Sequence, residues 1–183
     1  MTIEEQVVNK LIDRGFHISF AESCTGGLCC GTLVNVSNAS KVLDMSFVTY
    51  ANEAKVELIN VSPESIKSYG VVSEQVAGEM CTGVAEKAHS EVGVGVTGVA
   101  GPTGGTAEKP VGMVCFGFYV NGKVKTYTMQ FGNLGRNVVR AKSVEFVFNT
   151  LNDLLEKLIE EKYNELAKFK ENGIFELSEK SVK

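Results

Sequence analysis

Asn121-Gly122 lies between two runs of β-type residues, Met113–Val120 and Lys123–Phe131. Asn-Gly is the preferred pair for a two-residue type I′ turn, because both central residues must take positive φ and these two tolerate it best. The chain therefore commits to an antiparallel pair near residue 120. Upstream the pattern differs: helical and strand-type runs alternate, as they do where crossover helices join parallel strands. The two patterns together predict a mixed sheet with helices on both faces, a three-layer α/β/α fold.

The helical runs carry their own end signals. Thr2 and Glu5 form a capping box, and Ile3, Val7, Val8, Leu11 and Ile12 recur at helical spacing up to Gly15. Leu28–Val36 reads as a weak helix, and Asn52 as the N-cap of a helix carrying Lys55, Val56, Leu58 and Ile59. Ser62-Pro63 starts a short helix that Gly70 ends. Ser73 caps another, with Ala77, Met80, Cys81, Val84, Ala85 and Ala88 on one stripe. From about Arg136 a long stripe runs through Val139, Ser143, Phe146, Val147, Thr150, Leu151, Leu154, Leu155 and Leu158. Strands are predicted at His17–Ala21, Ser46–Tyr50 and Val92–Val96.

Residues 1–160 thus read as one domain. Residues 161–183 read as a charged extension, either an exposed helix with a frayed tail or a surface for self-association. A hydrophobic content of 44% with 22% charged residues fits a globular chain. The net charge of −4 argues against a nucleic-acid partner, since phosphate-binding surfaces leave a basic excess. No signal peptide and no apolar run of membrane-spanning length is visible, so no membrane partner is expected. The five cysteines show no C-x-x-C spacing and there are two histidines, which predicts neither a metal site nor a disulfide framework. A reduced, cytoplasmic setting follows.

Chemistry concentrates in two glycine-rich loops. Glu22-Ser23-Cys24-Thr25-Gly26-Gly27 follows a strand and opens a helix, where free N–H groups and the helix dipole favour developing negative charge. An exposed hydroxyl there suits acyl transfer, and Gly26 and Gly27 let the backbone approach a ligand. The same residues also make an ordinary N-cap and tight turn. Ser23 needs a base. His17 in a strand and His89 at a helix end give poor support for a triad, whereas Lys55 sits in the first turn of its helix. The positive dipole end and partial burial there lower a lysine pKa. A solvated surface lysine is the plain alternative. Cys24 is the rival nucleophile, since a helix N-terminus lowers a thiol pKa. The second loop, Thr97–Thr106, holds four glycines in ten residues and follows an apolar strand directly. It suits a phosphate or the edge of a base, but it is not a P-loop and it also reads as a long surface turn.

Three blocks carry a resemblance: Ala21–Gly27, Phe47–Lys55 and Val96–Gly112. Together they resemble the CinA C-terminal-domain family, the nicotinamide-nucleotide amidohydrolases, over about residues 3–158. The resemblance implies an α/β/α domain that hydrolyses the carboxamide of nicotinamide mononucleotide to nicotinate mononucleotide and ammonia. It implies Ser23 as nucleophile and Lys55 as base, with a substrate site of Thr25, Gly26, Gly27, Tyr50, Thr97, Gly98, Gly101, Gly104, Gly105 and Arg140. No cofactor is implied, and the partner is a small nucleotide substrate. Many members carry this domain behind a metal-dependent pyrophosphatase domain, which 183 residues are too few to include. Three departures stand out: Thr103 for a usual glycine or aspartate, Leu134-Gly135 for Gly-Asp, and Val71 for alanine. A catalytically silent nucleotide-binding homologue and a regulatory partner protein are the competing readings. The substrate phosphate is expected on glycine-loop N–H groups together with Arg140, whose fork matches phosphate oxygens.

Overall fold

The computed structural model describes residues 1–179, with side chains described through Leu158. Its five-stranded sheet runs in the order β2-β1-β3-β4-β5. Strand β1 (Ile18–Glu22) pairs in parallel with β2 (Leu43–Val48) on one side and β3 (Val92–Gly98) on the other. Strands β4 (Met113–Val120) and β5 (Lys123–Gln130) then add antiparallel to β3. Asn121 and Gly122 both take positive φ, 46° and 86°, as the I′ turn requires. The sheet is mixed, as the hairpin and the upstream alternation predict.

Helices α1 (Ile3–Arg14), α2 (Leu28–Val34) and α6 (Arg136–Glu179) cover one face. Val8, Leu11, Leu33, Phe148 and Leu151 from these helices bury against Phe20, Val94 and Phe116 of the sheet. On the other face lies α5 (Glu74–Ala88), with α3 (Asn52–Ile59) and α4 (Pro63–Tyr69) packed on it. All six residues of the predicted α5 stripe are buried. The α5 axis comes very close to the sheet because Gly93, Gly95 and Gly117 face it. A Cβ at any of them would run into the backbone carbonyl of Cys81 or Ala77.

The Thr2–Glu5 capping box, the left-handed Gly15 cap, Ser62 and Ser73 all act as their positions predict. Some bounds differ. Strand β2 starts at Leu43, ahead of the predicted Ser46, on a sheet edge where its register slips against Ile18–Phe20; half-exposed residues there leave no alternation to read. Asn52 is not a cap: Ala51 holds the N-cap position with extended backbone and no side-chain bond, and Asn52 is the first helical residue. Helix α2 ends at Val34 and β5 at Gln130, both slightly short of expectation. The predicted character of side chains beyond Leu158 falls outside the described residues.

This strand order has a functional consequence. From β1 the chain crosses through α2 to β2 on one face, then returns through α3–α5 to β3 on the other. The strand order reverses between β1 and β3, and open α/β sheets bind ligands in the crevice at the carboxyl ends of such strands. Ser23 follows β1 at that end, and its N–H donates to Val96 O of β3 at 2.9 Å.

Candidate active site

The backbone leaves β1 at Ser23 and turns through Gly26 (φ 60°) and Gly27 (φ 93°) into α2. Lys55 reaches the same place from α3. Its side chain is fully buried, an expensive place for a charge. Nζ lies 2.7 Å from Thr49 O, 3.3 Å from Tyr50 O and 3.4 Å from Ser23 Oγ. Desolvation pushes the Lys55 pKa below its ordinary value, against smaller opposing effects from Cys24 and Glu53. A neutral amine has two N–H bonds and one lone pair. Two carbonyls and one hydroxyl are the partners that such an amine accommodates, with the lone pair facing Ser23.

Cys24 is placed differently. It is 5% exposed, and burial pushes its thiol up to about 12, with the charge of Glu22 adding to the rise and Arg140 opposing it. Desolvation here outweighs the helix N-terminus that favours a thiolate. Of the two, Ser23 is the one whose side chain meets Lys55 Nζ within hydrogen-bond distance. His17 precedes β1 at the opposite end of that strand, about 20 Å from Ser23 at the usual rise per strand residue. There its Nδ1 lies 2.6 Å from Asp44 Oδ2. His89 is the left-handed C-cap of α5. Neither histidine meets the serine.

The loop's backbone differs from the sequence expectation. The N–H groups at the start of α2 are not free: the buried Glu22 carboxylate takes them. Its Oε2 accepts from Gly27 and Cys29, each at 3.0 Å, and its Oε1 from Cys30 at 2.9 Å. Gly26 N–H donates to Ser23 O and Leu28 N–H to Thr25 O. Between Ser23 and Cys30, the N–H groups of Cys24 and Thr25 are those that find no oxygen among the described residues. Both directly follow the serine, and both lie against the Cys24 thiol.

Arg140 also departs from expectation. It is a clamp on this loop: Nε donates to Cys24 O at 3.1 Å and Nη2 to Thr25 O at 2.9 Å. Those Arg140 donors and the first N–H groups of α2 are bound within the protein itself. Arg136, one helical turn earlier, donates from Nη2 to Tyr50 Oη at 2.8 Å and from Nη1 to Gly101 O at 3.0 Å. It ties Tyr50, which is well exposed, to the second glycine loop. Sequence reasoning passed over Arg136 and Glu22. The i, i+4 spacing of the two arginines and an acidic residue ending an apolar strand were the available signals.

Thr97, the penultimate residue of β3, is nearly fully buried, and its hydroxyl donates to Val71 O at 2.9 Å, so it fastens the segment before α5. Gly98 belongs to the strand, and Gly101 is buried with φ 78°. Gly104 and Gly105 lie on the exposed part of the loop. The hydroxyls of Thr25 and Thr49 are buried beside the serine–lysine pair without a hydrogen-bond partner among the described residues. A groove of about 570 Å³ lies elsewhere, between α5 and β5 beside Gly78, Thr82 and Val124. Size alone does not mark the chemistry here.

Fold and geometry together define an α/β/α domain with a serine–lysine pair at a topological switch point. The sequence model of the CinA C-terminal domain matches residues 1–155, and this chain belongs to that family. A CinA-like protein of Kosmotoga olearia is 45% identical over 158 residues, covering 86% of this chain and 38% of that protein. A putative competence-damage inducible protein of Alkaliphilus metalliredigens is 48% identical over 125 residues, 68% of this chain and 30% of that protein. The chain thus spans less than two-fifths of the length of these curated relatives. Among solved structures, a CinA superfamily protein of Klebsiella pneumoniae superposes with a TM-score of 0.81 at 32% identity, covering 85% of this chain and 96% of that one. No helix among the described residues is long and apolar enough to cross a membrane.

Proposed function

We infer that this chain is an amidohydrolase that converts nicotinamide mononucleotide and water to nicotinate mononucleotide and ammonia. The observation that carries the reading is the approach of buried Lys55 Nζ to Ser23 Oγ, at 3.4 Å, with its other hydrogen-bonding directions spent on the Thr49 and Tyr50 carbonyls. Ser23 Oγ attacks the carboxamide carbon and passes its proton to neutral Lys55. The carbonyl oxygen, now negative, lies against the N–H groups of Cys24 and Thr25. The C–N bond breaks as Lys55 returns the proton to the leaving nitrogen, releasing ammonia and leaving an ester on Ser23. Water, deprotonated by Lys55, attacks that ester, and the proton returns to Ser23 as the carboxylate departs.

A binding module needs neither a nucleophile nor a base, so a desolvated lysine held on a serine favours the enzyme. Residues 1–160 form the amidohydrolase unit in this reading, residues 161–183 a charged extension, and the setting is cytoplasmic. The test is ammonia release from nicotinamide mononucleotide by the full chain, with Ser23→Ala as control. Release by the parent and none by the variant is the expected result. A parent chain that releases no ammonia from any pyridine nucleotide contradicts the proposal.

A further inference from the structure

Glu22 is a carboxylate with no exposed surface at the end of an apolar strand. Such a charge is tolerated only where hydrogen bonds replace its water. Here three backbone donors do so, those of Gly27, Cys29 and Cys30. They are the groups with which a helix start ordinarily receives an outside anion. Burial opposes ionisation of three neighbouring thiols, Cys24, Cys29 and Cys30, most strongly, and the negative charge of Glu22 adds to the rise at each.

We propose that Glu22 is the positioning residue of the nucleophile loop: it fixes the loop's shape, shuts substrate phosphate out of the α2 start, and reserves the reaction for Ser23 over its cysteine neighbours. The geometry explains each part. With Gly27, Cys29 and Cys30 bound to the carboxylate, and Gly26 and Leu28 bound within the loop, the N–H groups of Cys24 and Thr25 are the ones not tied to an oxygen among the described residues, and they lie against the Cys24 thiol. An internal anion already fills the seat that a phosphate would take. Arg140 holds the same loop from its carbonyl side, so acid and base grip opposite polarities of one backbone turn.

The activity arm of the test rests on the amidohydrolase reading; the thiol arm does not. Glu22→Gln keeps the shape, but its NH₂ must face at least one of the three N–H donors, donor against donor. It should lower kcat for the amide by about 10²-fold with little change in KM, the scale of a slightly misplaced reacting group. The same variant should also speed alkylation of half-buried Cys30 by iodoacetamide at pH 8 several-fold, read by peptide mass spectrometry. Glu22→Asp keeps the charge and draws the carboxylate back, so kcat should fall while Cys30 stays as slow as in the parent. This second variant also covers a Glu22→Gln chain that does not fold. A Glu22→Gln chain with parent kcat overturns the assignment, and so does one whose Cys30 reacts at the parent rate. If the parent has no amidase activity, the thiol comparison alone decides.

Discussion

The two glycine-rich loops look alike in sequence and differ in the structure. The first, Ser23–Gly27, is packed between β3, α6 and the start of α2, with Glu22 on its N–H groups and Arg140 on its carbonyls. The second is fastened at its base, where Val99 N–H meets Met113 O at 2.8 Å and Gly112 N–H meets Val99 O at 2.7 Å. Between these ties, Pro102–Glu108 is exposed and held by a small turn between Thr106 and Lys109. Glycine serves the first loop by permitting a fixed tight turn. In the second it permits a chain with few packing partners, whose shape can change at little cost. In the proposed function the first loop sets the chemistry, and the second is suited to setting what enters.

The largest expected effect concerns the base. Lys55 must be neutral to accept a proton, and desolvation holds its pKa below 10.5. The acidic limb of kcat should therefore fall about tenfold per pH unit below that depressed value, since the ammonium has no lone pair. Stability follows the same sign. Between the depressed folded value and 10.5 the unfolded chain binds more protons, so this lysine's contribution rises with pH and is lost as pH falls across that window. A kcat with no acidic limb anywhere below 10.5 would break the assignment of Lys55 as base.

Next in size is Arg140→Ala. Removing two charge-assisted bonds to the first loop should cost about 3 kcal/mol in urea unfolding and about 10²-fold in kcat. If it weakened mononucleotide binding alone and left kcat intact, Arg140 would be a ligand and not a clamp. Smaller effects separate the loops directly. Gly27→Ala and Gly104→Ala both place a side chain at positive φ, 93° and 87°, so each should cost about 1–2 kcal/mol. Gly27→Ala should also lower kcat about tenfold, because the strain falls beside the serine. Gly104→Ala should leave kcat within about twofold and move KM. Equal kcat losses at the two sites would erase the distinction between the loops.

Much of this was legible in the chain. Asn121-Gly122 announced the hairpin, Ser62, Ser73 and Gly15 set helix ends, and the apolar run at Val92 marked a central strand, because each signal is local. The serine–lysine pair was legible through its sequence blocks, while its geometry depends on the β1–β3 switch that no local pattern encodes. Asn52 failed as a cap because Ala51 takes the extended N-cap backbone and Asn52 is already helical, a matter of one residue's dihedral angles. The polar partners around the first loop rest on longer-range facts: α2's first N–H groups go to Glu22, and Arg140 reaches back across 116 residues of chain to Cys24 O. Partner choice among polar groups is a tertiary property, and motif spacing does not report it.

The central claim is that Ser23, not Cys24, carries the acyl group. Turnover of nicotinamide mononucleotide quenched in acid, followed by peptide mapping, tests it most directly. The account predicts a nicotinoyl-nucleotide ester on Ser23 that is lost in Ser23→Ala and persists in Cys24→Ser. An adduct on Cys24 that survives in Ser23→Ala would contradict it.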